Sequence, residues 1–466
     1  MKHNDTTFLE KEPVGKLIFK LAIPTIIAQI VNLLYNVVDR IYIGHIPEVG
    51  DIAYTGVGVC MSIIMLISAC SALVGYGGAP KASIYLGEKQ SDKAETIMGN
   101  SLILLIGIGL VLTIVFSIFH EPLLYAFGAS DHTISYAEDY IQIYLIGSVF
   151  VMIALGMNAF ITAQGFTKAS MISVLIGAIL NSILDPIFIF AFGLGVKGAA
   201  IATIISQFAS SLFVILFLCS PKATLRLKKT AFKLDFHLIL PALLLGLSPF
   251  IMQFTEAIIV VCFNASLKKY GGDLAVGAMA TLSILMQFSM LPIMGLSQGA
   301  QPVISYNYGA KQPERVKSGF LVLLISSLCY SMILWGLLQI FPEIFVKIFS
   351  DSDELIRYTQ WAIRIYFAVS GLFGIQIACQ QTFIAIGNAK ISLFLAVLRK
   401  IILLIPLIFI LPSIITNNQV LGVFLAEPIA DGIAVTVTGI LFCIYFKKAL
   451  LQLKQEQAKE PMGYES

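Results

Sequence analysis

Gly87-Glu88-Lys89-Gln90-Ser91-Asp92-Lys93 returns in kind and spacing as Gly309-Ala310-Lys311-Gln312-Pro313-Glu314-Arg315, 222 residues further on (Gly87 to Gly309). Each copy is a short polar break between two long apolar runs. The same offset pairs Gly50-Asp51 with Gly272-Asp273, and Gly165 and Lys168 with Gly387 and Lys390. Three matches at one register, all in connections, read as two similar halves of one chain.

The runs between these breaks stay apolar for about 20 residues, the length a helix needs to cross a roughly 30 Å hydrocarbon core. Twelve spans are expected, at 17–43, 53–79, 97–118, 137–157, 167–192 and 197–219, then 238–264, 275–303, 318–341, 357–380, 390–412 and 420–446. The expected fold class is therefore an all-α polytopic membrane protein. Six spans per half keep both copies in one orientation, which puts a pseudo-two-fold axis along the membrane normal. The chain divides into a tail (1–16), a first lobe (17–219), a basic linker (220–237), a second lobe (238–446) and a second tail (447–466). Two parallel lobes flanking a cleft is the architecture of a carrier.

Composition agrees. Hydrophobic residues make up 58 % of the 466 and charged residues 12 %, against roughly 25 % charged in a soluble domain. The net charge of +3 is no nucleic-acid footprint, because the basic residues sit in short loops between apolar runs. One set of connections holds Lys81, Lys89, Lys93, Lys168, Lys311, Arg315, Lys317 and the basic linker, whereas the other holds only Arg40, Lys197, Lys268, Lys269 and Lys347. That bias puts both termini in the cytoplasm of a bacterial cell, with the chain in its inner membrane. Residues 1–16 are charged and carry no cleavable leader, so the first apolar run is expected to stay as a span. The seven cysteines include no CxxC and no Cys/His cluster, and read as small packing residues.

Ionisable groups deep in spans are costly, so each is a candidate site. Asp39 closes the first span and Asp185 lies in the outer part of the fifth, at similar depth. Asn32, Tyr35 and Asn36 share a helical face with Asp39, as Asn181 does with Asp185. Pro186 lacks an N–H and frees the carbonyl of Ser182. Two carboxylates, an amide oxygen and a freed carbonyl, with the hydroxyl of Thr203 in the sixth span, make a hard oxygen cluster suited to H+ or Na+. The plainer alternative pairs Asp39 with Arg40 and leaves Asp185 to cap a kink.

The second lobe carries Glu256, Arg364, Arg399, Lys400, Glu427 and Asp431. Opposite charges at this depth point to a structural ion-pair network of Arg399, Glu427 and Asp431, with Glu256 left more open. Met279, Met286, Met290 and Met294 form a stripe that suits either an adaptable ligand surface or ordinary helix packing. Gln29, Gln253, Gln287, Gln298 and Gln376 are spare hydrogen-bonding groups for a cleft. There is no GxxxxGK[ST] loop for ATP, all five histidines lie outside span interiors, and no metal-ligand spacing or nucleophile elbow is present. No enzymatic activity and no cofactor are expected.

Asp39-Arg40-Ile41-Tyr42-Ile43-Gly44, Asn181-Ser182-Ile183-Leu184-Asp185-Pro186 and the repeated Gly-x-Lys-Gln loops resemble the multidrug and toxic compound extrusion (MATE) family along essentially the whole chain. Ala426-Glu427-Pro428-Ile429-Ala430-Asp431 draws the resemblance toward its MepA-like bacterial branch. The resemblance implies two lobes in a V that alternate access and export cationic, amphipathic drugs and dyes in exchange for H+ or Na+. It carries the family's first-lobe cation site, with Na+ as a possible occupant, onto Asp39, Asn181, Asp185 and Thr203. Glu256 matches an acidic residue important in some members. The acidic residue those members use in the tenth span has no counterpart in 371–381, which holds glutamines. The expected substrate-contacting set is Asn32, Tyr35, Asn36, Gln253, Glu256, Met286 and Met290. The expected partners are membrane lipids and small cationic drugs, with no nucleic acid, and the chain is expected to work as a monomer. A lipid or polysaccharide-precursor flippase of the same superfold is the alternative, and it would require a basic cleft. A membrane-embedded transferase would need a catalytic loop that the sequence does not contain.

Overall fold

The computed structural model describes residues 8–349 and 352–459; residues 1–7, 350–351 and 460–466 lie outside the described residues, and with them the far ends of both expected tails. The 222-residue register holds at helix boundaries. Val14 and Phe236 open the first helix of each half, Ser91 and Pro313 the third, and Thr167 and Ala389 the fifth, while Gly87 and Gly309 end the second. Lys89 and Lys311 both take left-handed backbone, with φ 62° and 54°. The two Gly-x-Lys-Gln turns therefore share a conformation that few non-glycine residues adopt.

The first half comprises α1 (Val14–Gly44), α2 (Gly50–Gly87), α3 (Ser91–Ala126), α4 (Ile134–Ile146 and Ser148–Ala163), α5 (Thr167–Pro186, running on as a π-wound segment Ile187–Ala191) and α6 (Gly195–Cys219). In the second half one run, Phe236–Gly309, is divided into α7 and α8 at Gly272, whose φ of 65° and ψ of −159° suit only glycine. Then follow α9 (Pro313–Ile340), α10 (Asp353–Tyr366 and Phe373–Ala385), α11 (Ala389–Ile414, π-wound over Leu398–Leu404) and α12 (Gln419–Lys459). Nine of the described helices are long and apolar enough to span a membrane. Counting the divided run twice and adding the two bent pairs, α4 (58°) and α10 (47°), gives the twelve spans in two lobes.

Two departures from the sequence reading have physical causes. Helices α2, α3, α7, α8 and α12 run well past the hydrocarbon length, because a helix continues into water once its polar residues no longer need lipid. Helix α12 thus reaches Lys459, and most of the expected tail 447–466 is helical. Spans four and ten are each two helices meeting at a bend. The linker 220–237 is tied down rather than loose: Leu225 N–H donates to Gln164 Oε1 (2.8 Å) and Arg226 N–H to Glu95 Oε1 (3.2 Å).

The lobes meet on the side that carries both ends of the chain, which we call the termini side. In lipid no hydrophobic drive pulls helices together, so close backbone approach has to do so. A Cβ on Gly87 would lie 2.0 Å from the Tyr306 carbonyl oxygen, and one on its repeat mate Gly309 2.0 Å from that of Ile84. Thr25 Oγ1 donates to the Gly295 carbonyl (2.6 Å), joining α1 to α8. One apolar core fills the first lobe and crosses into the termini-side half of the second, through Ile239, Ala242, Val303, Phe383 and Phe442. The far half of the second lobe has a separate core around Phe263, Leu282, Phe367 and Phe424. The lobes are fused on one side and separate on the other, which leaves a cleft between them.

Candidate functional site

Helices α1 and α5 bring Asp39 and Asp185 together near the far side, both fully sequestered at 5 % and 0 % exposure. Their carboxyl groups are neighbours, each close enough to act on the other's charge. Asn181 Nδ2 donates to Asp185 Oδ1 (3.1 Å) and, more weakly, to Thr203 Oγ1 (3.4 Å). Asp39 Oδ1, Asp185 Oδ2 and Asn181 Oδ1 remain buried without a donor. Tyr140 of α4 is buried beside the group. The four residues proposed from sequence as the cation site thus converge, and their unpartnered oxygens form a donor set that fits a proton or a hard monovalent cation. Among the described residues, the ion pairs deep within the spans all lie in the second lobe; neither Asp39 nor Asp185 belongs to one.

The cleft lies beside this pair and is not lined by it. Its cavity of about 340 Å³ is walled by α1, α2, α4, α5 and α6 on one side and by α7, α8 and α10 on the other. Asn32, Tyr35 and Gln253 line it, together with Gln29 and Gln298, whose amides bond across the lobes (3.1 Å). Asn36, Glu256, Met286 and Met290 stand outside the lining, and the methionine stripe reaches it only at Met294. Tyr76, Asn158, Gln207, Met252 and Gln301 also line it and were not singled out from sequence; of these, only the glutamines carried a readable signal, as amides inside spans. No charged side chain lines the cavity. Tyr35 stands between cleft and carboxyls: it borders the cavity, and its hydroxyl is near enough to Asp39 and Asp185 to feel their charge.

The second lobe is wired differently. Arg399 Nε donates to Asp431 Oδ1 (2.6 Å) and Nη2 to Glu427 Oε1 (3.3 Å), the network expected from sequence. Glu256 is not open: Lys400 Nζ donates to its Oε2 at 2.7 Å, and the Glu256 side chain is 46 % exposed. Arg399 and Lys400 both sit on the π-wound part of α11, where the wider turn directs neighbouring side chains to different helices. Among the described residues no group of three or more His, Cys, Asp or Glu could hold a metal ion.

The MatE family matches residues 24–187 and 249–410, more than half the chain. The multidrug export protein MepA of Staphylococcus aureus is 24 % identical over 442 residues, covering 95 % of this chain and 97 % of that protein. Among solved structures, MATE in the bent conformation superposes with a TM-score of 0.89 at 23 % identity, over 98 % of this chain and 100 % of that one. A MOP superfamily transporter from Pyrococcus furiosus superposes with a TM-score of 0.88, also at 23 % identity, over 96 % and 99 %. At such identities the structural likeness speaks for the fold.

Proposed function

Because this chain belongs to the MatE family of membrane transporters, we propose that it exports amphipathic drugs and dyes, cationic ones above all, by antiport with H+ or Na+ through alternating access. The observation that carries this reading is the buried Asp39–Asp185 pair, which belongs to no ion pair and leaves one oxygen of each carboxyl, with that of Asn181, without a donor. Such a pair is stable only with a proton or cation, and that occupant is what a coupled carrier has to bind and release.

The coupling runs through Tyr35. With the pair charged, its field reaches a cation in the cleft past the tyrosine ring, across a wall that holds no competing charge. Protonation or Na+ binding from outside cancels that field, and α1 yields at Pro24, which interrupts its hydrogen bonding. The drug then leaves. One charge moving through 100 mV supplies about 2.3 kcal/mol. Both termini face the cytoplasm of the bacterial inner membrane, on the side rich in Lys and Arg, and one chain suffices. The flippase alternative calls for cations around a pyrophosphate; no Lys or Arg lines the cleft, and Arg399 is held by two carboxylates.

The test is ethidium efflux from inside-loaded vesicles under a pH gradient and a Na+ gradient imposed separately. Efflux under one gradient alone is the expected result and names the coupling ion. No efflux under either, with normal insertion, overturns the antiport reading.

A further inference from the structure

The segments leading into α1 and α7 each cross onto the opposite lobe. Phe8–Lys11 is one helical turn ahead of α1, and Lys229–Phe232 is one ahead of α7, close to the repeat register. The second turn, in the linker, lies on α3: the Ala231 carbonyl packs on Gly99, and Lys228 Nζ pairs with Glu95 at 2.8 Å. The first lies on the α8–α9 corner. Arg315 Nη2 donates to the carbonyls of Leu9 (2.9 Å) and Glu12 (2.8 Å). Asn307 Nδ2 also donates to Leu9 O (2.9 Å), its Oδ1 accepts from Arg315 Nε (3.0 Å), and Gln312 Nε2 donates to Glu10 Oε1 (2.7 Å). The Phe8 ring meanwhile rests on Gly165, in the first-lobe turn between α4 and α5.

We propose that Phe8–Glu12 is a releasable latch that holds the lobes together on the termini side and must let go of Arg315 and Asn307 for the cleft to open there. The linker cannot play this part, because it is covalently joined to both lobes and only follows them. The N-terminal turn is joined to one lobe and hydrogen-bonded to the other. Such bonds fade beyond about 3.2–3.5 Å, so a parting of the lobes by roughly 1 Å at this corner breaks all of them together. Arg315 is the centre of the grip: its planar guanidinium fork holds two carbonyls and an amide oxygen in fixed directions, which the point charge of an ammonium does not preset. The latch also acts on α1, the helix that carries Asp39 at its other end. It therefore fixes one end of the element whose far end binds the coupling ion.

The inference rests on the alternating-access reading, so its test is a distance that needs no drug. Spin labels at positions 168 and 390, exposed repeat mates on the termini side of the two lobes, are placed in the full chain in liposomes, and the separation is measured by pulsed electron resonance. The native chain is expected to show mainly the shorter distance. Arg315→Ala is expected to raise the ratio of long to short about tenfold, the effect of losing a charged hydrogen-bond donor, and Arg315→Lys less. Deleting residues 1–12 leaves Arg315 in place and is expected to reproduce the Arg315→Ala shift. If either Arg315→Ala or the deletion leaves the distribution unchanged, the latch is overturned, whether or not the chain exports ethidium.

Discussion

The two lobes share a register and differ in their buried chemistry. In the first, Asp39 and Asp185 are buried together and neither belongs to an ion pair. In the second, Arg399 and Lys400 are matched to Asp431, Glu427 and Glu256. Stepping by 222 residues makes the contrast sharper: Asp39, Asn181, Asp185 and Thr203 fall on Val261, Leu403, Leu407 and Leu425, while Arg399, Lys400, Glu427 and Asp431 fall back on Gly177, Ala178, Ile205 and Ala209. The repeat is kept in turns and helix ends and abandoned wherever a charge is buried. One lobe holds buried carboxyl oxygens without donors, and the other holds a network that completes itself.

The comparison breaks first at its most sensitive point. Asp39→Asn and Asp185→Asn are each expected to abolish ethidium efflux, by at least about a hundredfold on the scale of a lost essential group, while the protein still inserts. Either variant keeping full efflux would sink the first-lobe mechanism. Next comes the second lobe, where the reading is stability. Arg399→Ala strands two buried carboxylates and is expected to cost about 3–5 kcal/mol, seen as a large drop in thermal midpoint in detergent. Asp185→Asn, by contrast, removes repulsion and should hold or raise the midpoint. An Arg399→Ala protein as stable as the parent would dissolve the distinction between the lobes.

A smaller effect separates the two second-lobe pairs. Glu256 makes one ion pair, to Lys400, where Arg399 holds two carboxylates, so Glu256→Gln should lower the thermal midpoint less than Arg399→Ala does. A loss of efflux comparable to that of Asp39→Asn would instead make Glu256 part of the coupling machinery. The mildest variant is Thr203→Val. Its contact with Asn181 is long at 3.4 Å, and Asn181 keeps its bond to Asp185, so efflux should fall no more than about threefold, as for a weak neutral hydrogen bond. Steady-state efflux over a range of ethidium concentrations resolves such a change.

What the sequence could reveal followed from what leaves a mark in it. Spans show because lipid demands apolar length, and the repeat shows because turns constrain residue type, as Lys89 and Lys311 do. Asp39 and Asp185 stand out because a buried carboxylate is rare. The pairing of Glu256 with Lys400 does not show, since a partner on a distant helix has no sequence spacing. The bends in α4 and α10 lack a proline to announce them. The neutrality of the cleft was hidden as well: Tyr76, Asn158 and Ser71 look like ordinary span residues until two lobes are set face to face. Phe8–Glu12 reads as a solvated tail, because Arg315 and Asn307 hold it by the backbone carbonyls of Leu9 and Glu12.

The unequal attachment of the two crossing turns also bears on how the chain is made. The linker hooks onto Gln164 and Glu95, 61 and 131 residues back along the chain, so its partners are already made when it leaves the ribosome. The Leu9 carbonyl waits for Asn307 and Arg315, 298 and 306 residues later. The first lobe can therefore be sealed by its own trailing end during synthesis, while its leading end stays unattached until the second lobe has been inserted. Closure of the termini side is then the last act of assembly.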